Sequence, residues 1–584
     1  MRGFFKSFFA AILALFIFSA IVLLILVVKI GGLLSSQKPE IEGKSVLVID
    51  LGQSFKEQTQ ENPLGGLSSD DEYDVPGLYD LVRLVRYAKD DTTIKGIYLK
   101  CNSNPNGFAT CEEIRNALLD FKTSHKFVYA FGEDIPQKAY YVANVADRIY
   151  CNPKGGMEWR GFESQLLFLK GTLDRLEIEP QIFYAGKFKS ATEPLRADKM
   201  TEPNRIQMTE LLQGFFDRLL YTTAAARGLD TVTLRKCVND HLIVFPSDAL
   251  NYKLVDGLKY DDEFKDEIRD RLHIDHHTSI NFVPVGKYLK AVDYKADGKD
   301  KICLIYAQGD IVDGKGDKDE IGSDTYRWLI RKARFDKDVK AIVFRINSGG
   351  GSSLASENIW RELTLAKKEK PVIISFGDVA ASGGYYLSCN ADSIFAEPGT
   401  ITGSIGVFSV FPNMQKFFKD KLGVTFDGVK TAPNADALDV SKPLTPFQRT
   451  ILQEEIDTIY HNFKSRVADG RGKTVEYVDS IAQGRVWSGT RGLELGLVDR
   501  IGNLQDAVNC AARMAKTNDY RLKEYPEPKG LFDQLFGNYK KTISTKAMKD
   551  ELGEDGYQTY THIRKMKAMV GVSQAKLPFD FSVE

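Results

Sequence analysis

The feature that most constrains this fold is that the chain is written twice. Setting Lys95 against Lys340 aligns two stretches without a gap as far as Pro153 and Pro398, and 16 of these 59 positions are identical. The matches include Asn102-Ser103 with Asn347-Ser348, Phe131-Gly132 with Phe376-Gly377, Tyr140-Tyr141 with Tyr385-Tyr386, and Ala146-Asp147 with Ala391-Asp392. Downstream, Leu254-Val255-Asp256 matches Leu497-Val498-Asp499; upstream, Val46-Leu47-Val48-Ile49 resembles Ile302-Cys303-Leu304-Ile305. A repeat of about 210–245 residues is a whole domain rather than a solenoid unit. Any fold read from one copy must therefore hold for the other.

Within a copy, short apolar runs such as Ala341-Ile342-Val343-Phe344 and Val372-Ile373-Ile374-Ser375 read as buried strands. Between them, Ile359, Trp360, Leu363 and Ala366 mark one face of a helix over Ser356–Lys368. Alternating strands and helices predict an α/β domain with a largely parallel sheet. Ligands of such sheets bind beyond the strand C-terminal ends. Two Gly-rich segments fall there in the second copy.

The rest of the 584 residues flank the copies. Phe8 to Val28 carries no charge over 21 residues, about 31 Å as a helix and enough to cross a bilayer. Arg2 and Lys6 precede it, so the positive-inside rule places the N-terminus in the cytoplasm and the rest outside. A cleaved signal peptide is the rival reading, but Lys29-Ile30-Gly31-Gly32-Leu33-Leu34 offers no convincing cleavage site. A mean hydropathy of −0.25 excludes a polytopic membrane protein. The expected organisation is N-terminus and anchor over 1–29, linker 30–45, first copy 46–285, linker 286–299, second copy 300–515 and tail 516–584. In the tail, Leu531, Phe532, Leu535 and Phe536 make a short amphipathic patch suited to intersubunit packing, with membrane contact as the alternative use. The net charge of −1 gives no case for nucleic-acid binding. Seven cysteines without a Cys-x-x-Cys pair read as buried free thiols.

The chemistry concentrates in the second copy. Asn347-Ser348-Gly349-Gly350-Gly351-Ser352 follows one strand, and Ala380-Ala381-Ser382-Gly383-Gly384-Tyr385-Tyr386 follows the next. Small residues around one serine let a substrate backbone approach, and amides at a strand-to-helix turn can hold an oxyanion. A plain helix cap would also explain Ser-Gly-Gly. The first copy serves as an internal control: Gln137 stands for Ser382, Lys138-Ala139 for Gly383-Gly384, and Asn104-Pro105-Asn106 for Gly349-Gly350-Gly351. The scaffold persists while serine and glycines do not, so one active centre is expected, in the second copy.

A serine nucleophile needs a base. None of the seven histidines sits near a Gly-rich loop; His273, His276 and His277 cluster between the copies and read as a solvated linker, with metal binding the lesser alternative and no His-Glu-x-x-His zinc motif present. Lysine is the other activator, provided that burial keeps it neutral. Tyr184-Ala185-Gly186-Lys187-Phe188-Lys189-Ser190-Ala191-Thr192-Glu193-Pro194 is a candidate segment.

That segment resembles the general-base motif of the signal peptide peptidase A (protease IV) family in its long tandem form. The two Gly-rich segments look like the family's nucleophile domain. Gly484-Arg485-Val486-Trp487-Ser488-Gly489 and Leu493 to Asp499 are similar to its downstream signature. The resemblance covers roughly residues 8–515. It implies two tandem ClpP/crotonase-like domains after a single transmembrane helix. It also implies a Ser–Lys dyad of Ser382 and Lys189, and an oxyanion hole from the N–H groups of Gly351 and Gly383. No metal or cofactor is implied. Substrates would be cleaved signal peptides at the inner membrane of a bacterium, with the catalytic domains extracytoplasmic and assembled as a homo-oligomer, a tetramer in the tandem form. Gly349 departs from the family's usual proline, which loosens the loop and keeps its donors.

Shorter relatives carry serine and lysine in one domain, so Lys430 in Gly428-Val429-Lys430-Thr431-Ala432 is the rival base, without the Ser-x-x-Glu-Pro context. Two other readings stand beside the peptidase: a non-catalytic scaffold of the same fold, and an acyl-CoA enzyme of the crotonase type.

Overall fold

The computed structural model describes residues 38–60, 74–527 and 571–577, together with 3, 4, 8, 12–19, 21, 551, 553 and 556. Each copy builds a parallel sheet whose central strands run in the spatial order third, second, first. In the first copy the order is Gly257–Leu258, Arg148–Met157, Phe127–Ile135, Ile94–Lys100, Ser45–Asp50, Phe282–Pro284, parallel throughout. In the second it is Val486–Ser488, Ile401–Gly403, Val372–Ala381, Val339–Ser348, Asp300–Gln308, Tyr520–Tyr525. There Ser393–Ala396 also pairs with Val372–Ala381, and only Val486–Ser488 runs antiparallel to its neighbour. The strand Tyr520–Tyr525 thus continues the second sheet past residue 515. Central runs such as Ile302-Cys303-Leu304-Ile305 are wholly buried, as parallel strands covered on both faces must be.

The repeat reappears element by element. Helix Phe108–Lys122 corresponds to Ser353–Lys367, and Gln137–Ala143 to Gly383–Ser388; the long helices Glu202–Arg227 and Pro446–Arg471 both have 26 residues. The residues shared by the copies prove to be scaffold. The hydroxyl of Tyr140 donates to Leu254 O at 2.7 Å, and that of Tyr385 to Leu497 O at 2.9 Å. Asp147 accepts from Val128 N and Asp392 from Val372 N, each at 2.8 Å. Asp256 accepts from Ile149 N and Asp499 from Ile394 N, again at 2.8 Å. Tyr140 and Tyr385 are fully buried, where an unpaired hydroxyl would cost about 1–3 kcal/mol, while the four aspartates are half-buried or exposed. All seven cysteines are buried and unpaired.

The copies are locked to each other by buried charge. Arg345, on strand Val339–Ser348, donates to Glu57 at 2.8 Å and to Glu113 at 2.6 Å, both from the first copy. Asp378 reaches the other way and accepts from Thr110 N at 2.9 Å and Thr110 Oγ1 at 2.6 Å, in the first turn of helix Phe108–Lys122. A third, smaller sheet spans the junction, in the order Glu320–Gly322, Asp310–Val312, Gly350–Ser352, Gln574–Lys576, Val407–Asn413, Glu179–Ala185. It takes strands from both copies and one from the C-terminal tail.

No helix among the described residues is long and apolar enough to cross a membrane. The apolar stretch Phe8–Val28 lies mostly outside those residues, and the patch at Leu531, Phe532, Leu535 and Phe536 lies outside them altogether.

Candidate active site

Strand Val372–Ala381 runs directly into Ser382, and helix Gly383–Ser388 begins at the next residue. Ser382 takes φ +54° and ψ −116°, a conformation that side chains other than glycine rarely adopt. The turn is held by Ser382 N–H donating to Gly403 O at 2.8 Å and by Tyr386 N–H donating to Ser382 O at 2.8 Å. The strained turn aims the hydroxyl into the junction, where it is fully buried.

Lys189 arrives from the first copy. Strand Glu179–Ala185 pairs antiparallel with Val407–Asn413 of the second copy, so the chain that follows it is delivered beside Ser382. It turns at Gly186, φ +105°, where a Cβ would lie 2.6 Å from Gln483 O. Phe188 N–H then donates to Gln483 O at 2.8 Å and Lys189 N–H to Gly186 O at 3.0 Å. Gly484, φ +78°, faces the lysine backbone: a Cβ there would sit 2.7 Å from the Cα of Lys189. This close approach gives the Gly484-Arg485-Val486 signature its physical meaning. Glu193, buried, accepts from Asn204 Nδ2 at 2.8 Å and from Thr201, which fixes the Glu-Pro end of the segment at the start of helix Glu202–Arg227.

Lys189 Nζ lies 2.9 Å from Ser382 Oγ, although 193 residues separate them. It also donates to Ser404 Oγ at 3.0 Å and Ser404 O at 3.2 Å. Its side chain is 1% exposed, and no carboxylate pairs with it among the described residues. Burial therefore holds its pKa well below the usual lysine value. Burial thus favours the neutral amine, the form that is able to accept a proton from serine. Ser404 is itself set in the left-handed region, φ +51°, by its N–H donating to Arg485 O at 2.7 Å. Sequence reasoning did not single it out. The only signal is its place in the Gly-rich run Thr402-Gly403-Ser404-Ile405-Gly406, which reads as an ordinary turn.

The Gly-rich loop closes the other side. Gly350 N–H donates to Ser348 Oγ at 3.1 Å, so it is already engaged. A Cβ on Gly350, φ +96°, would lie 2.6 Å from Gly383 N, and one on Gly351 would lie 2.0 Å from Ile311 O. Only glycine lets these backbones meet, and the approach brings Gly350 against the Gly383 amide.

The first copy has filled the equivalent corner with side chains. Gln137 Oε1 accepts from Arg160 N and Gly161 N at 2.8 Å each, and its Nε2 donates to Gly161 O at 2.7 Å. Asn104 Nδ2 donates to Lys138 O at 3.0 Å. Lys430 is at the surface, 3.0 Å from Asp436, and the structure does not bring it to Ser382. His276 lies between Asp266 and Asp270 on the surface of the first copy.

A serine on a strained turn within hydrogen-bond reach of a buried lysine is an arrangement suited to a serine hydrolase working by acyl transfer. The model of "Peptidase family S49" matches residues 120–275 and 364–518, once in each copy. "Protease 4" of Salmonella typhi is 35% identical over 528 residues, 88% of this chain and 85% of that protein. "Serine protease SPPA, chloroplastic" of Arabidopsis thaliana is 31% identical over 500 residues, 84% of this chain and 72% of that one. Among solved structures, a ClpP1 point mutant from Listeria monocytogenes is matched with 14% identity over 35% of this chain and 94% of that chain, at a TM-score of 0.24. The chain belongs to peptidase family S49, in a tandem arrangement, and is a serine peptidase.

Proposed function

We propose that this serine peptidase is a membrane-anchored endopeptidase that degrades cleaved signal peptides, with Ser382 as nucleophile and Lys189 as general base. The observation that carries the assignment is the 2.9 Å contact between Lys189 Nζ and Ser382 Oγ in a buried setting where no carboxylate among the described residues pairs with the lysine. Lys189 takes the proton as Ser382 Oγ attacks the peptide carbonyl. The N–H groups of Gly351 and Gly383 stabilise the oxyanion. The protonated lysine returns its proton to the leaving amine, and water then hydrolyses the acyl-enzyme with Lys189 again as base. Ser404 acts as a positioning residue, holding Nζ with its hydroxyl and its carbonyl.

The first copy supplies the lysine and the second the serine, following the division at 46–285 and 300–515. The uncharged stretch Phe8–Val28 supports an anchor with the N-terminus cytoplasmic and the catalytic domains outside the inner membrane of a bacterium. Such an anchor would hold the site beside a two-dimensional pool of apolar peptides. The amphipathic patch at Leu531 to Phe536 supports self-assembly, and a homotetramer is the assembly we propose.

The test is degradation of a radiolabelled signal-peptide remnant in membrane vesicles carrying either the full chain or Ser382→Ala. The expected result is that fragments accumulate only with the wild-type chain and that the protein stays with the membrane after carbonate washing. Equal fragment yield from both would reject the nucleophile, and release by carbonate would reject the anchor.

A further inference from the structure

Lys189 Nζ reaches Ser382 Oγ from the end of a flexible aliphatic stem, so its position depends on what holds the lysine backbone. One side chain grips that backbone on both sides of the lysine. Gln207 lies in the second turn of helix Glu202–Arg227 and is 1% exposed. Its Nε2 is 3.2 Å from Phe188 O and 3.0 Å from Ser190 Oγ, in the residues before and after Lys189. Nε2 also lies 3.0 Å from Asn204 Oδ1, and Asn204 Nδ2 in turn donates to Glu193 at 2.8 Å. Gln207, Asn204 and Glu193 thus form a buried polar chain behind the lysine segment.

The other end of the same amide holds the second copy. Gln207 Oε1 accepts from Val486 N at 3.2 Å. Val486 stands opposite Gly403 in the antiparallel pairing of Val486–Ser488 with Ile401–Gly403. Gly403 O accepts the N–H of Ser382 at 2.8 Å, and the next residue, Ser404, meets Lys189 Nζ. A single buried amide therefore joins the backbone that carries the base to the strand pair that supports the nucleophile. One turn further along the helix, Glu210 pairs with Arg485 at 2.6 Å, but this pair is partly exposed and contributes less.

The second copy offers a comparison. Helix Pro446–Arg471 starts after Thr445 and ends at Gly472, as Glu202–Arg227 starts after Thr201 and ends at Gly228. Ile451 therefore stands where Gln207 stands in the first copy. Ile451 is exposed, and the neighbouring lysine segment, at Lys430, is also at the surface. The glutamine is present in the copy whose lysine is held against the serine and absent from the other.

We infer that Gln207 is a positioning residue for the reaction: its amide fixes Lys189 Nζ against Ser382 Oγ by tying the lysine segment of one copy to strand Val486–Ser488 of the other. The inference deepens the proposed function and rests on its assignment of Lys189 as general base. Proton transfer needs the amine within hydrogen-bond reach, and a displacement of about 1 Å can cost about 100-fold in rate. Gln207 bonds to the backbone around the base and not to the Gly350–Ser352 edge, so its loss acts on kcat and leaves KM alone.

The test is steady-state hydrolysis of a fluorogenic peptide by the full chain, well below the melting transition of each variant. Gln207→Met keeps length and burial and removes all of these bonds. It is expected to lower kcat about 30-fold with KM within about twofold of wild type. A glutamine with a purely structural role would lower the melting temperature and leave kcat at the wild-type value. That result overturns the inference, as does a loss carried by KM. Where Gln207→Met fails to fold, Ser190→Ala decides, because it removes only the bond to Ser190 Oγ. It is expected to lower kcat about threefold, and an unchanged kcat overturns the inference. Lys189→Met is measured beside them. Full activity there sinks the dyad, whereas an inactive Lys189→Met beside a fully active Gln207→Met sinks the positioning role alone.

Discussion

Lys189→Met is expected to lower kcat/KM for peptide hydrolysis by about 10⁴-fold, some 5 kcal/mol of transition-state stabilisation. It is also expected to make the protein more stable. The native lysine is buried, and its pKa is depressed well below the unfolded value near 10.5. Between these two pKa values the unfolded chain binds a proton that the native chain does not, so native stability rises with pH across that window. At neutral pH the wild type therefore carries a burial penalty that methionine lacks. The melting temperature of Lys189→Met should exceed that of the wild type by on the order of 2 °C at pH 7. The difference should shrink as pH approaches 10. Thermal melts at several pH values check this, and a less stable variant with unchanged activity would contradict both halves of the prediction.

The second large effect falls on the joint between the copies. Arg345 is 1% exposed and is hydrogen-bonded to Glu57 and Glu113, so its replacement by methionine leaves two buried carboxylates without their cation. Removing one partner of a buried ion pair costs about 3–5 kcal/mol. Arg345→Met is expected to lower the urea midpoint accordingly. Adding Glu57→Gln and Glu113→Gln to it should recover much of the loss. Because serine and lysine come from opposite sides of this joint, activity should disappear at the temperature or urea concentration at which the joint opens. Activity that survived separation of the copies would contradict a shared centre.

The doubling was legible in the sequence because the shared residues carry scaffold hydrogen bonds that both copies need, such as Tyr140 to Leu254 and Tyr385 to Leu497. The chemistry was legible from the reverse: Ser382 and its glycines have no counterparts at Gln137, Lys138 and Ala139. Lys189 stood out through its Gly-x-Phe-Lys-Ser context, whose constraints are the turn at Gly186 and the bonds from Phe188. Three features stayed hidden. Ser404 meets Lys189 Nζ with its hydroxyl and its backbone carbonyl from a left-handed turn, and a serine in a Gly-rich turn has no distinctive sequence pattern. The strand at Gln574–Lys576 is three residues long and gains its conformation only from the two edges that enclose it. Strand Tyr520–Tyr525 follows the repeat, and its alternating polar residues Arg521 and Lys523 mask its pairing with Asp300–Gln308.

The central claim is that the first copy activates the serine of the second. Its most direct measurement is the rate at which a serine-reactive fluorophosphonate labels Ser382, located by mass spectrometry, in wild type, Lys189→Met and Lys430→Met. The account predicts equal labelling of Ser382 in wild type and Lys430→Met, and a loss of at least about 100-fold in Lys189→Met. Labelling of Ser382 at the wild-type rate in Lys189→Met would contradict it.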